Sequence, residues 1–357
     1  MDIKVSLATN FLDIILGPLS SLFGWVARLF YSFLGSYGLA IIFLTVVIRG
    51  LLIPLNVRSQ RSMLKMQALS GKQAELQRKY GHDKQRYQEE LYKLQQENGA
   101  MGCSGCILPL LQLLFIWPIY RVVSGPLHYI AQISMENLQK MIDTASEWGI
   151  IGKSVTKENH IALIDVLANN SKFFRHVVTE GNMSAGQMMD LHFLGLDLTK
   201  VPSINPATIM KEPSIYIPLL FLPLLVLIVN LVMMRMTTWL KPGYKEQQEA
   251  KERAKNNPAR AGQVQQDKTE STMKIMNWVM PLMMLFTTFI WPAAMGLYWI
   301  ISGLMGILSQ ILVFYLFTKP YELKKAEAEL AKANAFKKKA AEQGEGDKSK
   351  SKKKKKK

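Results

Sequence analysis

The stretch IIFLTVVIRGLLIPLN, residues Ile41–Asn56, places an arginine inside an otherwise apolar run, and the fold depends on how that arginine is accommodated. About 20 mainly apolar residues suffice for a helix to cross a membrane. A fixed cation near the centre of such a helix costs about 3 kcal/mol on insertion scales. Arg49 therefore needs water or a polar partner within an apolar helix.

Two interpretations of Arg49 are open from the residues alone. At about 1.5 Å per residue, Arg49 lies roughly 10 Å from Asn56, so its side chain could reach the membrane surface. Alternatively, the cation faces a water-filled cavity inside a helix bundle and awaits an acidic partner. Gly50 would let a neighbouring helix approach, and Pro54 would loosen the end of the helix.

The composition predicts an all-α, polytopic membrane protein. The 357 residues are 49% hydrophobic with a mean hydropathy of +0.07, and long apolar blocks alternate with charged ones. The pattern predicts five spans, the last two forming a tight hairpin around Pro292. The five spans are Tyr37–Leu55, Ile107–Val123, Ile215–Met234, Ile275–Trp291 and Ala293–Phe317.

Basic residues in the connections predict the orientation. Residues 58–99 and 235–274 each carry 9 Lys/Arg against 5 acids, whereas residues 121–215 carry 8 against 9. The C-terminal residues 319–357 carry 15 against 6, and we expect this basic tail to be disordered. Because cytoplasmic loops hold the Lys/Arg excess, the N-terminus is expected outside and the C-terminus in the cytoplasm.

Residues 1–36 have two possible placements. Leu22, Trp25, Val26, Leu29, Phe30 and Phe33 recur at helical spacing, which favours an amphipathic helix in the outer membrane interface. The alternative is a sixth span, which would reverse the predicted orientation of one terminus.

The spans and connections predict a definite order of segments. Residues 57–100 should form a cytoplasmic helical hairpin that turns at Gly81-His82-Asp83, because two apolar stripes flank that turn. The full order is the N-terminal region 1–36, first span 37–56, hairpin 57–100, second span 107–125, extracellular segment 126–213, third span 214–235, cytoplasmic loop 236–274, fourth span 275–291, fifth span 293–317 and basic cytoplasmic tail 318–357.

Other polar residues within the spans also have two interpretations. Gln112 and Asn230 could form hydrogen bonds between helices or could line the same cavity as Arg49. Cys103 and Cys106 are too few for a disulfide-stabilised fold, and no second ligand pair follows them. No nucleotide loop, metalloprotease motif or nucleophile elbow is present in the sequence, so we expect neither an enzyme nor a metal site or cofactor.

The ordered motifs resemble those of the YidC/Oxa/Alb family of membrane protein insertases. The resemblance rests on YGLAIIFLTVVIRGLLIPLNVRSQRSMLKMQAL, on the hairpin that follows it, on NGAMGC and ILPLLQ, and on IMNWVMPLMMLFTTFIWPAAMGLYWIISGLMGILSQ. It covers about residues 37–125 and 213–317. Asn-Pro often precedes the family's Gly-Cys, which is not so here, and Gly303 replaces an asparagine common after Tyr-Trp. We expect no counterpart of the large outer domain of Gram-negative members.

The resemblance implies a five-span core with a hydrophilic groove that is open to the cytoplasm and to lipid. Arg49 would attract acidic residues of a substrate's N-terminal tail, and Gln112, Asn230 and Trp299 would line the groove. The substrate's apolar span would leave along a hydrophobic slide at Met233, Leu297 and Ile300. The implied partners are nascent membrane proteins, the Sec translocon, the ribosome through the basic tail, and membrane lipids, but not DNA.

The function expected from this resemblance is that of an insertase and chaperone in the bacterial plasma membrane, acting alone or with the Sec translocon. Two other classes of protein remain open. A scaffold or assembly factor for translocon or ribosome would need no active Arg49. A solute transporter would use Arg49 as an anion site, although the sequence has no obvious inverted repeats with broken helices.

Overall fold

A computed structural model describes residues 2–98, residues 104–240 except 153, 154 and 158, and residues 278–335 except 280, 329 and 332. Between these ranges it describes positions 244, 248, 249, 252 and 256. For helical residues 2–15, 60–68, 70, 71, 74 and 104–113 only the backbone is described. The chain forms two compact units, the first comprising residues 1–59, 102–236 and 265–309 and the second comprising residues 60–101, 237–264 and 310–357.

The described elements are almost all helices. In chain order they are α1 (Asp2–Leu34), α2 (Tyr37–Ala68), α3 (Ser70–Tyr80), α4 (Lys84–Glu97), α5 (Ser104–Ser124), α6 (Pro126–Tyr129), α7 (Met135–Glu147), α8 (Ile161–Asn169), α9 (Ser171–Thr179), a short 3-10 helix (Ala185–Gln187), β1 (His192–Phe193), β2 (Leu196–Asp197), α10 (Pro206–Lys211), α11 (Pro213–Leu219), α12 (Phe221–Trp239) and α13 (Ala293–Val313). A π-helical turn, Phe314–Thr318, follows α13.

Three helical stretches among the described residues are long and apolar enough to cross a membrane. They are Tyr37–Ser59, Pro213–Trp239 and the stretch that begins at Ala293, and they coincide with the predicted first, third and fifth spans. The predicted second span lies within α5, where Leu114–Ser124 is an apolar helix. The predicted fourth span, Ile275–Trp291, lies partly outside the described residues. Within its described part, residues 281–287 are helical. Those two spans stay predictions.

α1 is a single helix of 33 residues with two distinct faces. Leu16, Phe23 and Ala27 are buried. The Phe23 ring stacks on Phe115 of α5 with centroids 6.0 Å apart. Four members of the predicted apolar stripe point away from the protein instead, and they are Leu22, Trp25, Leu29 and Phe33. The stripe thus leaves an exposed apolar surface, and whether α1 lies in the interface or spans the membrane stays a prediction.

The 126–213 segment is a small folded layer whose buried side chains continue the hydrophobic core of the long helices. Three of its helices, α7, α8 and α9, each bury one apolar face, which carries the buried residues Leu138, Met141, Ile142, Ile161, Leu163, Ile164, Leu167, Phe173 and Val177. β1 and β2 form a two-stranded antiparallel hairpin. Its turn residues Leu194 and Gly195 both have positive φ, 52° and 78°, as a tight hairpin turn requires. Phe193 of β1 packs directly on Gly38 of α2.

Backbone hydrogen bonds join this segment to the start of α13. The amide of Ala293 donates to the Lys200 carbonyl at 2.8 Å, and that of Ala294 donates to the Leu198 carbonyl at 3.2 Å. These bonds satisfy amides that have no partner within their own helix. The ammonium of Lys200 also pairs with Asp165 of α8 at 2.8 Å. The 126–213 segment therefore covers the end of the helices at which α13 begins.

In the second unit, α3 and α4 pack against each other on either side of residues 81–83. Asp83 caps α4, because its carboxylate accepts hydrogen bonds from the amides of Gln85 and Arg86, each at 3.1 Å. The predicted turn thus lies between these two helices.

α12 and α13 pack through glycines. A Cβ on Gly296 would lie 3.5 Å from Leu222, and a Cβ on Gly306 would lie 2.8 Å from the sulfur of Met233. Gly303, between them, lies against the Val229 side chain so closely that no Cβ fits. Small residues on one helix face allow two apolar helices to approach without a hydrophobic driving force. This face therefore fixes the spacing of the third and fifth predicted spans.

We expect Gly303→Ala to lower the thermal unfolding midpoint of the detergent-solubilised protein, because overpacking a helix contact costs about 1–3 kcal/mol. Gly50→Ala is the matched control, since a Cβ there meets nothing within 4 Å. Alanine favours a helix over glycine by up to about 1 kcal/mol, so Gly50→Ala should be neutral or stabilising. Adding Val229→Ala should relieve the Gly303→Ala clash. Equal shifts for both glycine variants would contradict this close packing.

His160 precedes α8 and links it to the end of α5. Its backbone amide donates to the Ser124 carbonyl at 3.0 Å, and its Nδ1 lies 2.9 Å from the Lys157 carbonyl. The ring is buried, and its Nε2 has no hydrogen-bond partner among the described residues. Burial lowers the pKa of His160 to about 4, and its hydrogen bond to Lys157 only partly opposes that shift. The folded segment therefore holds His160 neutral.

We expect acid to destabilise the 126–213 segment through His160. A histidine with a lowered folded-state pKa gives full stability above its unfolded pKa near 6.5 and loses it as the pH falls toward 4. The full loss is roughly 3 kcal/mol, at about 1.4 kcal/mol per pH unit. Hydrogen exchange in α8, corrected for intrinsic rates, should show this loss in wild type and a flatter profile in His160→Asn. His192→Asn, at an exposed histidine, should leave the wild-type profile unchanged, and identical profiles for all three proteins would refute the assignment.

Candidate functional site

Arg49 lies near the middle of the apolar part of α2. It follows Tyr37 by 12 residues and precedes Asn56 by seven, which correspond to about 18 Å and 10 Å along the helix. Tyr37 is fully buried, and its hydroxyl donates to the Val123 carbonyl of α5 at 2.7 Å. Arg49 itself is half-buried, so its guanidinium is held within the helices rather than fully exposed.

The partner of Arg49 is a neutral phenol. Its Nη2 donates to the hydroxyl oxygen of Tyr298 on α13 at 3.3 Å, near the long end for such a bond. Tyr298 is only 2% exposed, so its position is set by packing. Within the part of the chain that the structure describes, no carboxylate pairs with Arg49. A guanidinium has five N–H donors, so Arg49 keeps its charge and most of its donors available.

Tyr298 is the first of three polar residues that form a stripe along α13. Ser302 and Ser309 follow it by four and eleven residues, which places all three on one face of the helix. Both serines are buried, and neither hydroxyl has a hydrogen-bond partner among the described residues. An unsatisfied buried hydroxyl costs about 1–3 kcal/mol, and ordered water usually removes that cost. The stripe therefore favours a hydrated space beside Arg49.

The predicted lining residues have different surroundings. Asn230 of α12 is buried, and its Nδ2 donates to the carbonyl of Val226, one turn earlier, at 2.8 Å. It is not bonded to Arg49. Trp299 is 5% exposed and stacks on Trp291 with ring centroids 5.2 Å apart. Gln112 belongs to α5, and its side chain lies outside the described residues.

The predicted slide residues lie on α12 and α13. Met233 contacts Gly306 and is half-buried, as is Ile300. Leu297 is only 8% exposed. The large apolar side chains that α12 and α13 expose, within the described residues, are Phe221, Leu224, Leu225, Ile228, Val232, Trp239, Leu304 and Leu308.

Tyr298, Ser302 and Ser309 are absent from the set of residues proposed from sequence. Their signal is nevertheless present, because three polar side chains at helical spacing interrupt the apolar run GLYWIISGLMGILSQ. The described residues contain no cluster of three or more His, Cys, Asp or Glu side chains able to hold a metal ion.

Comparison with known proteins identifies the family. The apolar helices define a helical, multi-pass membrane protein. Residues 29–320 match the family model described as 60Kd inner membrane protein. Because that match covers more than half of the 357 residues, the chain belongs to this family, the YidC/Oxa insertase family, whose members are not enzymes.

Relatives named Membrane protein insertase YidC match shorter stretches of the chain. The protein from Clostridium perfringens is 33% identical over 120 residues, which are 31% of this chain and 50% of that protein. The one from Caldanaerobacter subterraneus is 36% identical over 100 residues, 28% of this chain and 48% of that protein. The one from Treponema pallidum is 39% identical over 111 residues, 31% of this chain and 18% of that protein. The aligned stretches thus span half or less of each relative.

We expect the polar stripe on α13 to be accessible to water in a membrane. In a background with Cys103 and Cys106 replaced by serine, Ser302→Cys and Ser309→Cys should react with a water-soluble maleimide at least tenfold faster than Leu304→Cys. A thiol reacts as its thiolate, which needs water to form. Leu304 is the matched control, because it is exposed on the other side of the same helix. Slower reaction at both serine positions than at Leu304 would show a dry interior.

Proposed function

We propose that this protein is a membrane protein insertase and chaperone with five spans and a hydrophilic groove that opens to the cytoplasm and to lipid. The observation that carries the proposal is the Arg49 guanidinium, bonded to the neutral Tyr298, whose face of α13 also carries two buried serine hydroxyls without partners among the described residues. Family membership supports the same function. A groove of this kind lowers the cost of bringing polar residues part-way across the membrane.

Arg49 acts through electrostatic attraction and takes part in no covalent step. Its partner carries no negative charge, so the guanidinium still attracts carboxylates from the N-terminal tail of a nascent membrane protein. That attraction is strong inside the membrane, because two charges interact more strongly where the surroundings have a low dielectric constant. Asn230, Trp299 and Gln112 complete the proposed groove.

Release of the substrate follows from its hydrophobicity. Its apolar span moves from the groove into lipid along α12 and α13, past Met233, Leu297 and Ile300. Burial of apolar surface in the hydrocarbon supplies the driving force, so no nucleotide is consumed.

The proposed orientation places the N-terminus and the 126–213 segment outside the bacterial plasma membrane, with the C-terminus in the cytoplasm. The hairpin of α3 and α4 is then a cytoplasmic lid, and the basic tail 318–357 contacts ribosomal RNA or anionic lipid. Residues 336–357 of that tail lie outside the described residues. The protein would act alone on small substrates and beside the Sec translocon on larger ones.

The test is insertion of a small, single-span protein with an acidic N-terminal tail into liposomes that contain only this purified protein, scored by protease protection. We expect Arg49→Ala to reduce insertion at least fivefold, because the carboxylates lose their partner. Arg49→Lys keeps the charge and should retain most activity. Tyr298→Phe keeps the packing and should have a smaller effect than Arg49→Ala.

Arg58→Ala is the matched control, since it removes an exposed arginine from the same helix. A substrate whose tail acids are replaced by amides should lose its dependence on Arg49. Equal insertion by wild type and Arg49→Ala for the acidic substrate would remove the charge mechanism and leave insertase activity. Wild-type insertion no better than that of empty liposomes would favour a scaffold for translocon or ribosome.

A further inference from the structure

A cavity of about 280 Å³ lies between α1 and the beginning of the 126–213 segment. This volume is near the lower end of the range for small-molecule sites, which begins at about 300 Å³. The cavity lies apart from Arg49 and has no part in the proposed groove. Among the residues that line it are Trp25, Arg28, His128, Gln132 and Ser134.

Three faces follow one another around α1. At about 100° per residue, the buried residues Phe23 and Ala27 lie on one side of the helix. The cavity face, with Arg28 and Trp25, comes next. The exposed apolar face, with Leu22, Leu29 and Phe33, follows and begins at Trp25. Trp25 is 53% exposed, so it borders both the cavity and the apolar surface.

Arg28 has no partner among the described residues. It is half-buried beside the cavity, and within the described part of the chain it forms no salt bridge or hydrogen bond. No carboxylate of the described residues lines the cavity. Glu136, the nearest acid along the chain from Ser134, pairs with Lys140 at 2.9 Å. An uncompensated guanidinium in a cavity favours an anion, above all one whose oxygens match its planar donors.

Ser134, Gln132 and His128 supply further hydrogen-bonding groups to the cavity. Ser134 accepts a hydrogen bond from the Asn137 amide at 3.1 Å, so its hydroxyl hydrogen is available to donate. The Gln132 amide is exposed and forms no hydrogen bond within the described residues. Nδ1 of His128 donates to the Ile133 carbonyl at 2.9 Å, and in the tautomer that carries its hydrogen on Nδ1 the other ring nitrogen is an acceptor.

The walls of the cavity are held by close packing. A Cβ on Gly24 would lie 2.7 Å from the Tyr129 ring, so only glycine lets α1 approach α6 this closely. The His128 ring meets Tyr129 edge to face, with centroids 4.9 Å apart. Arg28 and Ser134 therefore face one cavity because of contacts independent of any ligand.

We propose that this cavity binds the phosphodiester headgroup of a membrane phospholipid, with Arg28 as the main phosphate ligand. Ser134 and Gln132 donate further hydrogen bonds, and His128 accepts one from a headgroup hydroxyl. The acyl chains lie along the exposed apolar face of α1. The proposal draws on the placement of the 126–213 segment outside the membrane and does not depend on insertase activity.

The apolar face distinguishes a lipid from a soluble anion. Leu22, Leu29 and Phe33 continue from the cavity along one side of α1, where acyl chains of a bound lipid would cover them. Tryptophan is enriched at the level of the lipid headgroups, and Trp25 lies at the boundary between the two surfaces. A free phosphate would use the cation but leave that apolar face uncovered.

The test is native mass spectrometry of the delipidated full-length protein in detergent, titrated with phosphatidylglycerol. We expect Arg28→Gln to weaken binding of one lipid at least fivefold. Gln132→Gly should weaken it about twofold without strain, because Gln132 has a φ of 60° that glycine adopts readily. Arg175→Gln removes an exposed arginine from the same unit and should bind as wild type does.

Two soluble ligands complete the design, glycerol phosphate and inorganic phosphate. Both should bind at least tenfold more weakly than the lipid. Equal lipid binding by wild type, Arg28→Gln and Gln132→Gly would overturn the site. Binding of either soluble anion as tight as that of the lipid, with the same dependence on Arg28, would overturn the lipid assignment. Because the measurement uses no liposome and no substrate, its outcome is separate from that of the insertion assay.

Discussion

The free energy of keeping a guanidinium inside apolar helices is the constraint around which the rest of this protein is arranged. Arg49 is half-buried, and its bonded neighbour in the described structure is the phenol of Tyr298. A carboxylate in that place would neutralise the arginine and stabilise it more strongly. A phenol instead orients the guanidinium and leaves its charge in place. Among the described residues the guanidinium is therefore only partly satisfied, which suits the proposed attraction of substrate carboxylates.

α13 has three faces with different surroundings, because its polar, small and large apolar residues recur at helical spacing. Tyr298, Ser302 and Ser309 form its polar face, while Gly303 and Gly306 meet α12 on the next face. Leu304 and Leu308 are exposed on the remaining face. Because successive residues are about 100° apart, small changes in sequence register would exchange these faces. The glycine contacts hold the register, so the polar face stays beside Arg49.

Local features of the chain were predictable from sequence, and long-range partners were not. The first, third and fifth spans follow from apolar length alone, and Arg49 stands out because it interrupts such a run. Tyr298 lies 249 residues away in the chain, and no local pattern states that the two meet. The resemblance instead implied that the adjacent Trp299 lines the groove, whereas the Trp299 ring stacks on Trp291. The phase of a helix relative to its neighbours depends on packing that one sequence does not display.

The same limit applies to the 126–213 segment and to α1. The segment's helices are short, so each buries only a few side chains, and its core exists only after several of them meet. In α1 the apolar stripe was visible, but the burial of Phe23 rather than Leu22 depends on α5. Leu220, next to Pro218 and Pro223, separates α11 from α12 by one residue, a local irregularity that the predicted third span does not include, although Pro213–Trp239 is still one stretch long enough to cross a membrane.

The hydrogen bonds from Ala293 and Ala294 to the 126–213 segment bear on the electrical state of the membrane. In the proposed orientation they close the outer end of the helices, so a hydrated groove need not conduct ions. Most of the transmembrane voltage then falls between Arg49 and the outer end of α2, a distance of about 18 Å. Moving one elementary charge through 100 mV is worth about 2.3 kcal/mol. With the cell interior negative, the respiratory potential itself would help to draw an acidic tail outward past Arg49.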